Sequence, residues 1–172
     1  MSQVEFLMVF HGVIFSMAIV DLVSHTHDIF TKSYWEYIIW AIALFEIGAQ
    51  SWYSTFDKMD AIAYNYAHFL VMMLPVIFYF LTIRIFTPPD GQGYKEYFLS
   101  KRKSFIGMLF LFSLSGFFSD YILGVEPHFT WMRVGVTALL IPAYFINHAA
   151  VRLFPVFVRL LVISYWMATG AL

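Results

Sequence analysis

The feature that most constrains this chain is a series of apolar runs, each about as long as one membrane crossing. A helix needs about 20 predominantly apolar residues to cross the hydrocarbon core of a bilayer. Six such runs alternate with short polar or proline-containing segments, at residues 4–23, 35–54, 61–86, 104–123, 130–148 and 151–172. The sequence therefore predicts an all-α integral membrane protein, a polytopic bundle of six transmembrane helices that forms a single domain over residues 1–172.

The sixth run leaves an alternative open. It contains Arg152 and Arg159, seven residues apart on one helix face. A helix with such a face can also lie in the plane of the membrane surface, so five spans plus one interfacial helix is the second interpretation of the same pattern.

Composition agrees with a membrane environment. The chain is 61% hydrophobic and 12% charged, whereas a soluble domain is about 45–50% apolar and about 25% charged. Too little polar surface remains to cover a water-soluble globule. The net charge of −1 and the absence of a basic run longer than three residues argue against a nucleic-acid partner.

The basic residues predict the orientation. Seven of the ten flank connections on one side of the predicted bundle: Lys32, Arg84, Lys95, Lys101, Arg102, Lys103 and Arg152. Loops rich in Lys and Arg stay on the cytoplasmic side. We therefore expect a multi-pass protein of the cell membrane, with a cytoplasmic loop at 87–103 and both termini outside. The cluster Lys101, Arg102 and Lys103 is interpreted as a determinant of topology, with contact to anionic lipid or a partner protein as the alternative.

The two halves of the chain share a weak similarity. At an offset of 99 residues, identical residues recur for Ser16, Asp21, Phe30 and Thr31. Each half would hold three spans, so the second half would enter the membrane in the opposite sense. This pattern is compatible with the 3+3 inverted repeat that many transporters have.

Three ionisable side chains fall well inside the predicted spans at a similar depth. They are His11, Glu46 and His68, each about seven or eight residues from the predicted outer end of its span. Gln50 follows Glu46 by four residues and Asn65 precedes His68 by three, so each pair occupies one helix face. Because ionisable groups inside a membrane need a partner, a wet cavity or a function, these five residues are the predicted polar centre.

Several roles for this centre remain open. The side chains can hydrogen-bond between helices without further function, or line a path for a proton, an ion or a solute. His11, Glu46 and His68 are also candidate ligands of a divalent metal, and the two histidines of a haem. No cofactor is expected, since no two of these histidines share a helix at the spacing of a self-contained metal motif.

Other charged residues suggest pairing between helices. Arg159 lies about eight residues into the last span, at a depth close to Glu46 or Asp21. A second group lies near the cytoplasmic face at the span ends and consists of Asp21, Glu36, Arg84, His148 and Arg152. Together with Arg159, Asp120 and Arg133, these residues are expected to form charge pairs that lock the bundle, with an anion or headgroup site as the alternative. The tract from His25 to Asp28 is interpreted as an interfacial loop, and metal binding by its two histidines is the alternative.

No motif of a known reaction is present, so no catalytic residue is assigned and an enzyme is the less expected class. The first hypothesis is a small membrane protein that moves or senses a small ion, proton or solute through its polar centre. The second is an accessory or assembly subunit that packs against another membrane protein or a copy of itself. The third is a haem- or metal-binding redox protein. The expected partners are the lipid bilayer and either a homo-oligomer or another membrane protein.

Overall fold

The computed structural model describes residues 3–56, 58, 66–125 and 130–169, and these consist of helices joined by short turns. The helices are α1 (Gln3–Ser24), α2 (Thr26–Lys32), α3 (Trp35–Phe56), α4 (Tyr66–Phe86), α5 (Tyr94–Leu123), α6 (Thr130–Phe145) and α7 (Ala149–Thr169). No strand occurs in the described part of the chain, so the all-α prediction is confirmed.

Helix α5 begins ten residues earlier than the predicted span, so residues 94–103 are helical and not part of a loop. The chain turns at Gly91, whose φ of 82° lies in the left-handed region that glycine tolerates. Tyr94 and Phe98 then pack edge-on against Tyr37 of α3. This distant aromatic contact gives the first turns of α5 a buried face. The cluster Lys101, Arg102 and Lys103 consequently lies on a helix.

The predicted loop after the first span contains the short helix α2. His25 Nδ1 lies 2.8 Å from the backbone oxygen of Asp21, and Lys32 pairs with Asp28 one helical turn before it. Successive residues of a helix rotate by about 100°. His25 and His27 therefore do not lie side by side, as the metal-binding interpretation of an extended tract requires.

The six long helices of the described chain form a closed ring in the order α1, α4, α5, α6, α7, α3, and α3 also touches α5 across the ring. Helix α1 runs parallel to α4, because Phe15 stacks on Tyr79 and Asp21 pairs with Arg84 further along both helices. Helices α3 and α7 are parallel as well, and so are α3 and α5 across the ring. The other adjacent pairs in the ring are antiparallel.

These directions place all helix ends on two sides of the bundle. One side, here called the basic end, holds α2, the turn between α4 and α5 and the turn between α6 and α7. The opposite side, here called the terminal end, holds the start of α1 and the ends of α3, α5 and α7. The directions thus alternate along the chain, as they do in a polytopic bundle.

The core centres on α3. Its Tyr37 stacks on Phe86 of α4 with ring centroids 4.0 Å apart, and its Trp40 meets Phe105 of α5 edge-on at 5.0 Å. Aromatic pairs contribute about 0.5–1.5 kcal/mol each beyond the area they bury. A contiguous aromatic layer therefore joins α3, α4 and α5.

The outer surface of the bundle is apolar. Helix α1 exposes a stripe of large apolar side chains at helical spacing: Phe6, Val9, Phe10, Val13, Met17 and Val20. A soluble protein buries such residues. Within the described residues, three helices are long and apolar enough to cross a membrane, at Met8–Lys32, Tyr66–Phe86 and Tyr94–Leu123. Length and composition thus favour a membrane protein.

The other three long helices differ from these for specific reasons. Helix α6 has 16 residues and at about 1.5 Å per residue extends about 24 Å, less than the roughly 30 Å of a hydrocarbon core. Helices α3 and α7 carry Glu46 and Arg159 in their middles. The prediction of six spans therefore goes beyond what length and hydropathy support.

The arrangement of the helices does not support the inverted repeat. In the first half, the first long helix, α1, lies between α3 and α4; in the second half, the middle helix, α6, lies between α5 and α7. Corresponding helices thus have different neighbours. Asp21 and Asp120, which the offset of 99 residues aligns, also pair with arginines at unrelated positions, Arg84 and Arg133.

Candidate functional site

The charged pair in the middle of the bundle joins α3 to α7. Arg159 donates from Nε to Oε2 of Glu46 at 2.7 Å and from Nη2 to Oε1 at 3.2 Å. The same Nη2 donates to Oε1 of Gln50. Glu46 and Gln50 are one helical turn apart, so both reach one guanidinium. Two parallel bonds between a guanidinium and a carboxylate are stronger and more directional than neutral hydrogen bonds.

This central pair is not fully enclosed. The Arg159 side chain is 12% exposed and the Glu46 side chain 26% exposed. Each residue lies close to the midpoint of its helix. An ion pair at this depth therefore remains accessible from outside the packed core.

A cavity of about 50 Å³ borders the central pair, between α3, α5, α6 and α7. Its wall is mostly apolar and includes Trp40 and Pro155, while Ser113 and Arg159 contribute polar groups. The Ser113 hydroxyl bonds to that of Thr137, which itself donates to the backbone oxygen of Arg133. One water needs about 10–15 Å³ of such space, so the cavity has room for a few waters or one small ion.

A second pair closes the basic end. Arg152 donates from Nε to Glu36 Oε1 at 2.6 Å, from Nη2 to Glu36 Oε2 at 2.8 Å, and from Nη1 to Asn147 Oδ1 at 2.6 Å. The two charged side chains are only 5% and 3% exposed. Burial raises the pKa of the nearby Tyr34 phenol, which therefore stays protonated. This network ties the starts of α3 and α7 together.

A third group of charged residues lies at the terminal end. The carboxylate of Asp120, on α5, lies 2.5 Å from Lys58 Nζ and 2.5 Å from Arg133 Nη1. Lys58 follows α3 and Arg133 belongs to the first turn of α6. One almost fully buried carboxylate thus holds three segments together.

The structure does not bring His11, Glu46 and His68 together. His11 packs against Trp52, and its Nε2 lies 3.5 Å from the Thr55 hydroxyl. These contacts lie on the flank of α3 that faces α1, whereas Glu46 bonds to α7 on the other flank. Among the described residues, no three His, Asp or Glu side chains are grouped so that they could hold a metal ion.

The remaining predicted residues are placed as follows. The Nδ1 atoms of His11 and His68 are buried and have no hydrogen-bond partner among the described residues. Asn65 lies outside the described residues. Asp21 pairs with Arg84 at 3.2 Å and not with Arg159.

The basic cluster on α5 divides between two environments. Lys101 and Lys103 are exposed, and Arg102 is half-buried. Lys103 Nζ lies 5.8 Å from the centroid of the Tyr144 ring. Contact of this cluster with lipid or a partner protein stays a prediction.

The sequence placed Glu36 and Arg152 among the charges expected to form salt bridges but did not pair them with each other, although this pair is the more deeply buried of the two that join α3 to α7. Both residues lie at predicted span ends on the basic side, where exposed charges are common. One feature of the sequence indicates this pairing. Helix α3 carries a second glutamate, Glu46, ten residues after Glu36, and α7 carries a second arginine, Arg159, seven residues after Arg152. Two parallel helices with matched charges predict two levels of pairing.

Comparison of the chain with protein-family models, curated proteins and solved structures finds no match. The functional interpretation therefore rests on the geometry of this chain.

Proposed function

We propose that this protein is a six-helix integral membrane protein that moves a proton or a small ion across the membrane. The moving species passes the middle of the bundle at the group formed by Glu46, Gln50 and Arg159. The observation that carries the proposal is this partly accessible ion pair, which lies at mid-depth beside a cavity.

The free energy needed to place these two charged side chains inside a membrane supports a functional role for the pair. An ionisable side chain at the centre of a bilayer costs about 2.5–3.5 kcal/mol on insertion scales. The pairs at the two ends already fasten α3 to its neighbours, so packing alone does not require a third pair between them. Ionisable residues in such positions are typical of ion and proton pathways.

The spacing along α3 supports a path with three levels. Glu36 and Glu46 are ten residues apart on α3, or about 15 Å along a helix, and Lys58 lies beyond the end of α3 at Phe56. Apolar side chains fill the space between these levels, including the buried Trp40 and Leu44. Apolar packing therefore separates the central pair from the pair at the basic end, and transport requires the pairs to open in turn.

The proposed topology has six crossings, with the basic end in the cytoplasm and both termini outside. The alternating helix directions support an even number of crossings. The excess of Lys and Arg at the basic end sets the orientation. Helices α3 and α7 count as crossings because their central charges, Glu46 and Arg159, pair with each other, and α6 counts because it lies between α5 and α7 in the ring.

The test is an ion-flux assay with the purified protein in liposomes that contain a pH-sensitive dye and potassium chloride. After a pH jump, valinomycin carries potassium to compensate charge, so the dye then reports proton flux through the protein. A protonophore carries the protons instead, so the dye then reports the flux of the compensating ions through the protein. We expect at least one of the two signals to exceed that of protein-free vesicles. The double variant E46Q/R159Q keeps a neutral, hydrogen-bonded pair and should slow that signal by about tenfold or more, the effect of ~1.4 kcal/mol in a barrier.

The matched control is E96Q, which removes the same charge from an exposed site near the start of α5 and should leave the flux unchanged. Wild-type vesicles that behave like protein-free vesicles in both signals would refute transport of ions. The hypothesis of an accessory subunit would then take precedence.

A further inference from the structure

We infer that the cavity beside Arg159 binds a small monovalent anion, of the size of a halide, nitrite or formate. This inference rests on the proposed function, because it names the species that occupies its central site. The juxtaposition behind it is a mostly apolar cavity whose wall contains Arg159 and Trp40, each with an N–H donor that bonds to no other described residue.

The first donor is the guanidinium. Arg159 uses Nε and Nη2 to bind Glu46 and Gln50. No hydrogen bond to another described residue uses Nη1, which carries two N–H groups. Since arginine does not lose its proton in proteins, this nitrogen always offers donors and never an acceptor.

The second donor is the indole of Trp40. This residue is 1% exposed and forms part of the cavity wall. Its Nε1 is buried and has no hydrogen-bond partner among the described residues. A buried donor without an acceptor is uncommon in native proteins and calls for an unobserved water or ion.

The remaining lining groups select the sign and size of the ligand. Among the described residues of the wall there is no carboxylate, and the Ser113 hydroxyl already bonds to Thr137. A cation would lie against the guanidinium with no carboxylate in the wall to bind it. The volume of about 50 Å³ admits a single small ion, and one guanidinium shared with Glu46 suits one negative charge better than two.

Tryptophan fluorescence provides a direct test, because iodide quenches indole rings that it contacts. The wild-type protein in nonionic detergent is titrated with sodium iodide at constant ionic strength, with sodium gluconate as the replacement salt. We expect a saturable component of quenching that chloride reverses. W40F should lack this component, since Trp40 is its reporter.

The decisive variant is E46Q/R159Q, which retains Trp40 and a hydrogen-bonded pair but lacks the guanidinium. We expect its apparent affinity for iodide to fall by about tenfold or more. Acrylamide, a neutral quencher, should act equally on both proteins if the cavity is unchanged. Quenching that is linear in iodide, or equally saturable in the double variant, overturns the inference.

Flux and binding separate this inference from the proposed function. Flux that persists when gluconate replaces chloride on both sides, with no saturable quenching, leaves ion transport standing and refutes the anion site. Saturable, chloride-reversible quenching without any flux supports the site and refutes transport.

Discussion

Removal of one member of the pair formed by Glu36 and Arg152 should destabilise the protein more than removal of both. Arg152 donates three short hydrogen bonds, two to Glu36 and one to Asn147. The change Glu36→Leu leaves the guanidinium buried with Asn147 as its remaining partner. Arg152→Leu leaves a buried carboxylate.

The magnitude follows from the burial of the pair. Because the side chains are 5% and 3% exposed, solvent screens neither charge, and the small values typical of surface ion pairs do not apply. An uncompensated buried charge costs about 3–5 kcal/mol, whereas replacement of a whole buried pair by apolar residues is often nearly neutral. We expect about 3 kcal/mol or more for each single change and about 1 kcal/mol or less for the double change Glu36→Leu with Arg152→Leu.

The free energy of unfolding is measured in bicelles by titration with a denaturing detergent, followed by tryptophan fluorescence. Asp28→Asn is the control, because it breaks an exposed pair with Lys32 and should give no measurable change. The interpretation fails if each single change costs less than about 1 kcal/mol, or if the double change costs the sum of the two.

Three further outcomes follow from the structure. Gly48→Ala would place a Cβ against the Tyr79 hydroxyl and 2.8 Å from the Tyr79 Cζ. The same unfolding titration should then show a loss of stability of about 1–3 kcal/mol. Gly107→Ala is the control, because its Cβ would make only ordinary contacts, and it should be tolerated. Tyr79→Phe removes the hydrogen bond to the backbone oxygen of Leu44 and should cost about 1 kcal/mol. A reporter fused after Leu172 should be active outside the cytoplasm, and cytoplasmic activity would contradict six crossings.

The helices were predictable from the sequence because a chain in a bilayer must satisfy its backbone within each span. Where the membrane imposes no such requirement, the prediction was wrong. Residues 94–103 looked like a polar loop, but Tyr94 and Phe98 are buried against Tyr37. That contact joins residues more than fifty positions apart, and hydropathy along the chain does not report it.

For the candidate site, the sequence predicted how deep each residue lies along its helix but not which neighbouring helix each residue faces. The spacing of Glu46 and Gln50 placed both on one helix face, and residue counts placed Arg159 close to the depth of Glu46. Depth along a span does not specify which neighbour a face meets. His11 shares a similar predicted depth, yet it contacts the flank of α3 that faces α1. Only the order of helices in the ring distinguishes these two flanks.

The order of the helices in the ring also separates the more apolar helices from those that carry the two pairs joining α3 to α7. The three helices that are apolar enough to cross a membrane, α1, α4 and α5, are consecutive in the ring, and α6, α7 and α3 complete it. The second arc contains both pairs that join α3 to α7, and its helices, together with α5, enclose the cavity. Since charges in a bilayer are costly, the proposed topology assigns part of that cost to this second arc, where Glu46 and Arg159 lie at mid-helix. In the proposed topology, neutralisation of Arg159 by Glu46 is a condition for α3 and α7 to cross the membrane, so a transported ion would have to maintain that neutrality while the pair opens.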